Sequence, residues 1–495
     1  MKFKAIFIFG LTCWLAATAN VARADLAEDV RAVLRDKYLA KAQVGIAIAR
    51  LPDAPTTNAA TATTATPTTQ PAEMLFRYES DIPLMPASNL KLVTTSAFLD
   101  RFGPDFKFRT VLLMKDADLF VIGDGDPTLG DAEMLKKLGW DVDTVFKAWA
   151  DALKQRGVTS VRNVYVDDSV FDEVFLHPNW LGRYLGDRYA AQVGGVNLNA
   201  NCIDFLVRAT SPGEPVAYTM NPDTRYANVR NLAITGEDKG VGVSRPPNKN
   251  DLTLRGEIAQ SLGKPISVPI QDPPMFAATV LAEALGKNGV AVTGTTTRDR
   301  GVRERYSADP SGWSVAAALD TKIETVLERA NKDSMNLYAE AMCKRLGHEV
   351  SGQPGSWANG TAAVGDFLKR IGVEDHQFHL DDGSGLSREN AISAGAILKI
   401  LSHNFQSRNR EAFVSSLAVG GADGTFEKRF KNNLRGRVFG KSGYINGVSC
   451  LSGYVKTESG QWYAFSILMN GITDNGTAKT LQERIVSAID ENAAK

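Results

Sequence analysis

Pro86-Ala87-Ser88-Asn89-Leu90-Lys91 opens a run of apolar and small residues that ends at Phe102-Gly103. This run predicts a helix, with Ser88 at its start and Lys91 one turn further on. Side chains three residues apart share a helix face, so the Lys91 amine can reach the Ser88 hydroxyl. The helix N-terminus also favours negative charge that develops at the serine. The stretch therefore predicts an activated nucleophile.

A Ser-x-x-Lys pair is weak evidence by itself, because this spacing arises by chance in most chains of this length. The alternative interpretation is a helix start followed by a solvated lysine. A catalytic role for the pair depends on partners elsewhere in the sequence.

The 495-residue chain has the composition of a globular protein, with 44% hydrophobic and 23% charged residues. Its length allows two or three domains. The 56 basic residues balance 56 acidic ones, which argues against a nucleic-acid partner or a polybasic membrane surface. A protein that handles small molecules or peptides fits this composition better.

The N-terminus has the pattern of a secretory signal peptide. Lys2 and Lys4 precede an apolar core from Ala5 to Ala17, and Ala22-Arg23-Ala24 resembles a cleavage site. We expect residues 1–24 to be removed and the protein to be exported to the periplasm or cell-wall space. No other stretch approaches the ~18 consecutive apolar residues of a membrane span, so we expect no stable membrane span after export.

Three cysteines remain after this segment, which is too few for a disulfide scaffold: Cys202, Cys343 and Cys450. We expect buried thiols at all three positions. Neither the cysteines nor the five histidines have the spacing of a ligand cluster. The sequence therefore predicts no metal site and no cofactor.

The order of predicted elements indicates a domain built from both ends of the chain. An early helix and strand precede the Ser88 helix, and short strands with a closing amphipathic helix end the chain. We assign residues 25–104 and 313–495 to this domain. After Trp313 the pattern is helical, and it begins with a predicted helix at Val315–Ala318.

The middle of the chain, residues 105–312, has short apolar runs, many turn signals and interleaved helices. It predicts an inserted mixed α/β region of at least one domain's length. Residues 52–73 are mostly Ala, Thr and Pro and cannot bury a core, so we interpret them as a flexible insert.

Two further motifs accompany Ser88 and Lys91. Ser334-Met335-Asn336 precedes a predicted helix, and Lys441-Ser442-Gly443-Tyr444 lies on a predicted strand. Alone, the first is more often a helix cap and the second a turn at a strand end. Ser-x-x-Lys, Ser-x-Asn and Lys-Ser-Gly in this order form the motif set of penicillin-recognising serine enzymes. Their joint occurrence in an exported protein favours the catalytic interpretation.

The first two motifs supply a nucleophile and its proton relay. Ser88 would attack a carbonyl carbon, and Lys91, if kept neutral, would take the serine proton. Ser334 would pass that proton to the leaving amine, and Asn336 would hold Lys91 and the substrate amide. Because Ser334 and Asn336 are two residues apart, they point into one cleft only from a turn.

The third motif supplies an anion site. Lys441 would add positive charge and Ser442 a hydroxyl for a substrate carboxylate, both presented by an edge strand. The backbone amides of Ser88 and Tyr444 would stabilise the oxyanion, and such donors contribute about 2.7–4 kcal/mol each.

Other catalytic motifs do not fit. Residues 436–442 resemble a P-loop but have three residues between the glycines instead of four, and a strand follows instead of a helix. The sequence lacks a Gly-x-Ser-x-Gly elbow and a zinc-protease helix, so a histidine-based triad is unsupported.

With these residues, the chain resembles the class C penicillin-binding proteins, the D-alanyl-D-alanine carboxypeptidase/endopeptidase family. The resemblance covers nearly the whole mature chain and includes three further signatures, Gly125-Asp126-Pro127-Thr128-Leu129, Asp382-Gly383-Ser384-Gly385-Leu386-Ser387 and Gly421-Ala422-Asp423-Gly424-Thr425. It implies an α/β fold in which a transpeptidase-like domain, an antiparallel sheet flanked by helices plus an all-helical lobe, is interrupted by extra domains.

The resemblance also implies an activity and its partners. These are removal of the terminal D-Ala from peptidoglycan stem peptides, often with hydrolysis of D-Ala-containing cross-links, and acylation by β-lactam antibiotics. It carries the roles above to Ser88, Lys91, Ser334, Asn336 and the Lys441-Ser442-Gly443 motif. Trp180 and Asp187 lie with Tyr189 in a stretch comparable to the segment that roofs the cleft in relatives, although packing or surface roles fit them about equally well.

The third motif departs from the usual Lys-Thr-Gly-Thr, since Tyr444 keeps the backbone amide but replaces a short hydroxyl with a phenol. The terminal-carboxylate preference is therefore less firmly supported than acyl transfer. Two alternatives stay open, a non-catalytic peptidoglycan- or β-lactam-binding module of the same fold and a β-lactamase or esterase. The sequence leaves the oligomeric state and the balance of carboxypeptidase and endopeptidase action undetermined.

Overall fold

The computed structural model describes residues 26–52 and 71–493. The expected signal peptide, residues 1–24, lies outside the described residues, and so do residues 53–70 of the expected insert. Glu73, at the predicted end of that insert, is the first residue of a strand.

The strands are numbered in chain order as β1 (Gln43–Arg50), β2 (Glu73–Tyr78), β3 (Pro83–Leu84), β4 (Lys107–Lys115), β5 (Asp118–Ile122), β6 (Ser160–Val161), β7 (Val164–Asp167), β8 (Cys202–Arg208), β9 (Ala217–Asn221), β10 (Asn228–Asn231), β11 (Ile234–Thr235), β12 (Gly240–Ser244), β13 (Asp251–Ile258), β14 (Ile266–Pro269), β15 (Ala291–Val292), β16 (Thr296–Arg298), β17 (Trp313–Lys322), β18 (Phe378–His379), β19 (Ala391–Ser393), β20 (Ala418–Val419), β21 (Val438–Ile445), β22 (Val448–Lys456) and β23 (Trp462–Asn470).

The helices are α1 (26–34), α2 (Leu90–Phe102), α3 (Ala132–Lys137), α4 (Val142–Lys154), α5 (Pro273–Lys287), α6 (Val302–Ala308), α7 (Ile323–Asn331), α8 (Asn336–Ser351), α9 (Trp357–Arg370), α10 (Ala394–Gln406), α11 (Arg410–Ser415) and α12 (Asn475–Ala493). Within the described part of the chain, no helix combines the length and the apolar character that crossing a bilayer requires.

The chain divides into two compact units. The described residues of the first lie within Met1–Pro104, Leu327–Ser334 and Val364–Lys495, and those of the second within Asp105–Val326 and Met335–Ala363. The sequence analysis placed residues 313–326 and 335–363 with the first group. They belong to the second unit because β17 pairs along β4 from Trp313 to Lys322 and because α8 bonds to residues of the same unit.

The first unit is built on an antiparallel sheet of order β2-β1-β23-β22-β21-β20. One face of the sheet, with residues such as Leu451 and Phe465, forms a hydrophobic core with apolar residues of α1 and α12. The opposite face packs against α10 and the turn that precedes α2. This face presents alternate residues of β21, including Lys441 and Gly443, because side chains alternate along a strand.

The second unit contains a mixed sheet of order β16-β7-β5-β4-β17 and several smaller sheets. The prediction of a helix at Val315–Ala318 is wrong, because these residues lie within β17 and pair with Leu113 to Val111 of β4. Four consecutive small or branched apolar residues have no period that separates a helix from a strand, so the partner strand decides.

The prediction of buried thiols is confirmed. Cys202, Cys343 and Cys450 are all buried and free of disulfides. Burial raises the pKa of the Cys450 thiol to about 12, so this thiol stays protonated and unreactive at neutral pH.

Candidate active site

Ser88 lies in a short 3-10 turn, Ala87–Asn89, that leads directly into α2. The Lys91 side chain is fully buried, and its Nζ donates to Ser88 Oγ at 2.9 Å and to the Ser384 carbonyl oxygen at 3.0 Å. The predicted helix is confirmed, and its first turn brings the serine and lysine into direct hydrogen-bond contact.

The residue before the serine has an unusual backbone. Ala87 has φ +45°, a left-handed conformation that costs a non-glycine residue roughly 1–3 kcal/mol and persists only where the surroundings enforce it. A Cβ on Gly385 would lie 1.9 Å from the Ala87 carbonyl oxygen. The loop at Gly385 therefore packs directly on the backbone that precedes Ser88.

That loop belongs to the Asp382–Ser387 signature. The Asp382 carboxylate accepts from the backbone amides of Ser384 at 3.2 Å, Gly385 at 2.7 Å and Ser387 at 2.7 Å. Thr94 Oγ1 of α2 donates to the Gly383 carbonyl at 2.7 Å. Asp382 thus shapes the loop, and the loop places the Ser384 carbonyl where Lys91 donates to it.

Ser334 lies in the turn between α7 and α8 and has φ +57°. The predicted turn therefore contains Ser334, whereas Asn336 is the first residue of α8. The Gly421–Thr425 signature holds the turn in place, since Lys332 pairs with Asp423 at 2.9 Å and the Thr425 amide donates to the Lys332 carbonyl at 3.1 Å.

Lys441 of β21 completes the cluster in the first unit. Its Nζ donates to Ser334 Oγ at 2.8 Å and to the Ser442 carbonyl oxygen at 2.8 Å. Burial, and secondly the charge on Lys91, lower the pKa of Lys441 well below its usual value. The neutral amine is therefore favoured at Lys441 compared with an exposed lysine.

The predicted edge position holds for only part of β21, and the Lys441 side chain itself is fully buried. Among the described residues, β20 pairs with β21 only at Phe439 and Gly440, so the backbone from Lys441 onward has no strand partner on that side. A Cβ at Gly443 would lie 2.7 Å from the Pro86 carbonyl and 3.0 Å from the Ser88 amide. Only glycine lets the strand approach the Ser88 turn this closely.

The remaining residues of the third motif face away from this buried cluster. Ser442 alternates with Lys441 along β21 and is partly buried. Tyr444 is 55% exposed, so its phenol contributes little to packing. Its backbone follows Gly443 directly, which is the residue in closest approach to the Ser88 turn.

Asn336, Trp180 and Asp187 belong to the second unit. Asn336 is the first residue of α8, and its side-chain amide donates to the Tyr189 carbonyl oxygen at 2.8 Å. The Tyr189 hydroxyl donates to the Asp187 carboxylate at 2.7 Å. The segment that carries Asp187 is therefore tied to the second motif through Tyr189.

Trp180 is buried, at 5% exposure. Its ring packs on His177 and meets Trp357 edge-on, with centroids 5.8 and 5.9 Å away. These contacts account for Trp180 as a packing residue of the second unit. A role for Trp180 in substrate binding stays a prediction.

The sequence analysis did not assign a role to Lys332, Asp382, Ser384 or Asp423. Three of them stand in the family signatures that it quoted, and Lys332 precedes Ser334 by two residues. Their hydrogen bonds and ion pair hold the first two motifs in place. The signature that begins at Gly125 is structural as well, since the buried Asp126 carboxylate accepts hydrogen bonds from Thr128 and Thr321.

A model of the D-Ala-D-Ala carboxypeptidase 3 (S13) family matches residues 28–492. The chain is 29% identical to a D-alanyl-D-alanine carboxypeptidase of Actinomadura sp. (strain R39), over 94% of this chain and 84% of the relative. It is 23% identical to the D-alanyl-D-alanine carboxypeptidase DacB of Haemophilus influenzae, over 81% of this chain and 83% of the relative.

The fold is also that of a solved structure. The crystal structure of penicillin binding protein 4 (dacB) from Haemophilus influenzae matches with a TM-score of 0.73 and 21% identity, over 94% of this chain and 99% of that one. The same protein complexed with a novel β-lactam matches with a TM-score of 0.70. The predicted fold class is confirmed.

The family match spans nearly the whole described chain, from residue 28 to residue 492. It confirms the predicted family and the predicted enzyme class, a serine-type D-Ala-D-Ala carboxypeptidase. The chain belongs to the D-Ala-D-Ala carboxypeptidase 3 (S13) family.

Proposed function

We propose that this protein is a serine D,D-peptidase that cleaves D-Ala-D-Ala termini or D-Ala-containing cross-links of peptidoglycan, with Ser88 as its nucleophile. The observation that carries the assignment to Ser88 is the pair of lysine–serine hydrogen bonds within the first unit, Lys91 to Ser88 at 2.9 Å and Lys441 to Ser334 at 2.8 Å. Family membership supports the reaction class.

In the acylation step, Ser88 Oγ forms a bond to the carbonyl carbon of the penultimate D-Ala. The serine proton passes to neutral Lys91, and Ser334 delivers a proton to the nitrogen of the leaving group as the C–N bond breaks. Lys441, in the ammonium form that the bound substrate carboxylate favours, then returns a proton to Ser334 across their hydrogen bond and becomes the neutral amine. The product is an ester on Ser88 and a free amine, and attack by water on the ester returns the enzyme.

We assign the oxyanion donors to the backbone amides of Ser88 and Tyr444. The close approach of Gly443 to the Ser88 amide supports this, because it places the edge of β21 against the nucleophile turn. Asn336 is proposed to hold the substrate amide, with its own side chain held by the Tyr189 carbonyl. We also propose that Trp180 and Asp187, in the segment that contains Tyr189, bind substrate.

Lys441 and Ser442 are proposed to bind the substrate carboxylate. Burial lowers the pKa of Lys441, so its amine is charged less readily in the free site than that of an exposed lysine, and an incoming carboxylate raises that pKa again. Carboxylate binding therefore favours the protonated form of Lys441. A β-lactam, which also carries a carboxylate, acylates Ser88 by the same route.

The proposal is tested by incubating purified muropeptide pentapeptides and cross-linked dimers with the wild type and with Ser88→Ala, followed by mass spectrometry. We expect loss of D-Ala or of the cross-link with the wild type only, and labelling by a fluorescent penicillin only when Ser88 is present. Muropeptide binding without product or label would indicate a binding module. Rapid turnover of penicillin would indicate a β-lactamase.

We also infer export to the periplasm or cell-wall space, from the signal-peptide pattern of residues 1–24. Sequencing of the N-terminus of the protein purified from its native cell tests this. A mature chain that begins near Asp25 is expected, and an intact N-terminus in the cytosol would contradict the inference.

A further inference from the structure

A buried chain of three polar side chains begins at the residue after the nucleophile. Asn89 ends the 3-10 turn that contains Ser88, and its side-chain amide donates to Ser452 Oγ at 2.7 Å. The Ser452 hydroxyl donates in turn to Ser466 Oγ at 2.9 Å. Asn89, Ser452 and Ser466 are all fully buried. We call these three residues the buried polar chain.

The buried polar chain crosses the sheet next to Lys441. Ser452 of β22 pairs directly with Lys441 of β21 on one side and with Ser466 of β23 on the other. Directly opposed residues of an antiparallel pair present their side chains on the same face, with Cβ atoms about 4.5–5.5 Å apart. Asn89 therefore ties the turn that carries Ser88 to the immediate neighbour of Lys441.

Two different contacts hold the Ser88 turn on the sheet. At β21, a Cβ on Gly443 would lie 3.0 Å from the backbone amide nitrogens of Ser88 and Asn89, so this contact is steric and limits how closely the strand approaches. It does not prevent the turn from sliding along the strand or from moving away. The hydrogen bond from Asn89 to β22 is attractive and directional, so it opposes both movements.

The stability of the fold does not by itself explain an asparagine at this position. Asn89 Oδ1 is buried, and within the described residues it has no hydrogen-bond partner. A buried acceptor without a partner destabilises the folded state, which offsets much of the gain from the bond to Ser452. An apolar side chain of similar size avoids this cost. The amide is therefore better explained by the position that it gives to its neighbour in sequence, Ser88.

We propose that Asn89 is a positioning residue for acylation, which acts through Ser452 to hold Ser88 Oγ at the place on the sheet where the reaction occurs. This rests on the proposed function, since it takes Ser88 as the nucleophile. Asn89 is fully buried, so its side chain is out of reach of substrate. Loss of its hydrogen bond is therefore expected to slow bond formation at Ser88 and to leave the noncovalent binding of a β-lactam unchanged.

The test compares Asn89→Ala with Asn404→Ala. Asn404 of α10 is a matched control, because its side-chain amide also donates to a buried serine hydroxyl of the first unit at 2.7 Å, that of Ser96. Stopped-flow kinetics with a fluorescent penicillin separate the dissociation constant of the noncovalent complex from the first-order rate of acylation. We expect Asn89→Ala to lower that rate about tenfold and to keep the dissociation constant within about twofold of wild type. Asn404→Ala is expected to lower the midpoint of thermal unfolding as well, but to leave both kinetic values unchanged.

Ser452→Ala removes the same hydrogen bond from the other side, and it keeps the test usable if Asn89→Ala does not fold. We expect it to slow acylation by a similar factor. Because Asn89 and Ser452 act through one bond, the double variant Asn89→Ala/Ser452→Ala should be about as slow as the slower single variant.

The proposal is overturned if Asn89→Ala and Ser452→Ala are acylated at the wild-type rate, if Asn404→Ala slows acylation equally, or if only the dissociation constant changes. A double variant in which the two effects multiply would also overturn it, since the two residues would then act separately. A wild type that is not acylated at Ser88 would contradict the proposed function, and a role of Asn89 in acylation would be excluded with it.

Discussion

Two buried lysines in different units of the molecule have opposite surroundings. Lys441 of the first unit and Lys344 of the second are both fully buried, and burial lowers the pKa of each. Lys344 donates to the Asp172 carboxylate and the Val174 carbonyl, both at 2.7 Å. Its Nζ also lies 4.0 Å from the centre of the Trp357 ring.

The buried amine of Lys441 has no comparable partner that stabilises a positive charge. This amine donates to a serine hydroxyl and a backbone carbonyl, and the charge on Lys91 lowers its pKa further. A carboxylate and a ring stabilise the charge of Lys344, whereas for Lys441 burial and the charge on Lys91 outweigh the opposing effect of Asp333. Lys344 therefore stabilises the fold. The burial of Lys441 destabilises the folded protein, and we attribute its retention to a catalytic role.

The largest expected effect is loss of acylation in Lys441→Met. Removing the amine removes the partner of Ser334 and the proposed carboxylate ligand, and we expect the rate of acylation to fall by about 10²–10⁴-fold. Stopped-flow or gel measurement of penicillin labelling checks this. Because no buried carboxylate loses a partner, the free energy of unfolding is expected to rise at pH 7, and a clear fall would contradict the comparison.

Lys344→Met is expected to show the reverse pattern. Asp172 would lose its partner, and because its side chain is 27% exposed we expect a loss at the low end of the range for broken buried pairs, about 2–3 kcal/mol. Denaturant unfolding measures it. The acylation rate per folded molecule should stay within about twofold of wild type, and a loss comparable to that of Lys441→Met would place Lys344 in the catalytic machinery.

A matched pair of glycines extends the comparison to the backbone. Gly443→Ala places a Cβ 2.7 Å from the Pro86 carbonyl, so we expect β21 to move away from Ser88 and the acylation rate to fall about tenfold. Gly286 of α5 faces open space, and Gly286→Ala is expected to leave acylation unchanged and to raise stability by up to about 1 kcal/mol. Equal acylation rates in the two variants would argue against the close approach.

The smallest expected effect is a dependence of stability on pH. The pKa of Lys441 is lower in the folded protein than the ordinary value of 10.5, so between these values the unfolded chain binds more protons. The contribution of Lys441 to stability therefore increases as pH rises through this window towards 10.5. Thermal unfolding of wild type and Lys441→Met from pH 7 to pH 10 measures this. As the pH rises, the free energy of unfolding of the wild type is expected to increase relative to that of the variant.

Much of the site could be predicted because its parts are local in sequence. Ser88 and Lys91 meet through one helical turn, and the two-residue spacing of Ser334 and Asn336 requires the turn that the structure shows. The strand at Lys441 followed from the pattern near the chain end, whereas the partial cover of β21 by β20 did not. Each of these predictions needed only a helical or strand period.

The features that sequence reasoning missed depend on partners far along the chain. The Lys332–Asp423 ion pair joins residues 91 positions apart, and the Lys91–Ser384 hydrogen bond joins residues 293 positions apart. The strand at Val315–Ala318 is likewise decided by β4, some 200 residues earlier. Lys344 looked like any helical lysine, because its burial against Asp172 and Trp357 has no signal in the local pattern.

The central claim is that Ser88 is the nucleophile. Intact-protein mass spectrometry after incubation with a penicillin, followed by peptide mapping of the adduct, tests it most directly. We expect one penicilloyl group per molecule on the peptide that contains Ser88, and no adduct in Ser88→Ala. An adduct on another residue, or equal labelling of Ser88→Ala, would contradict the account.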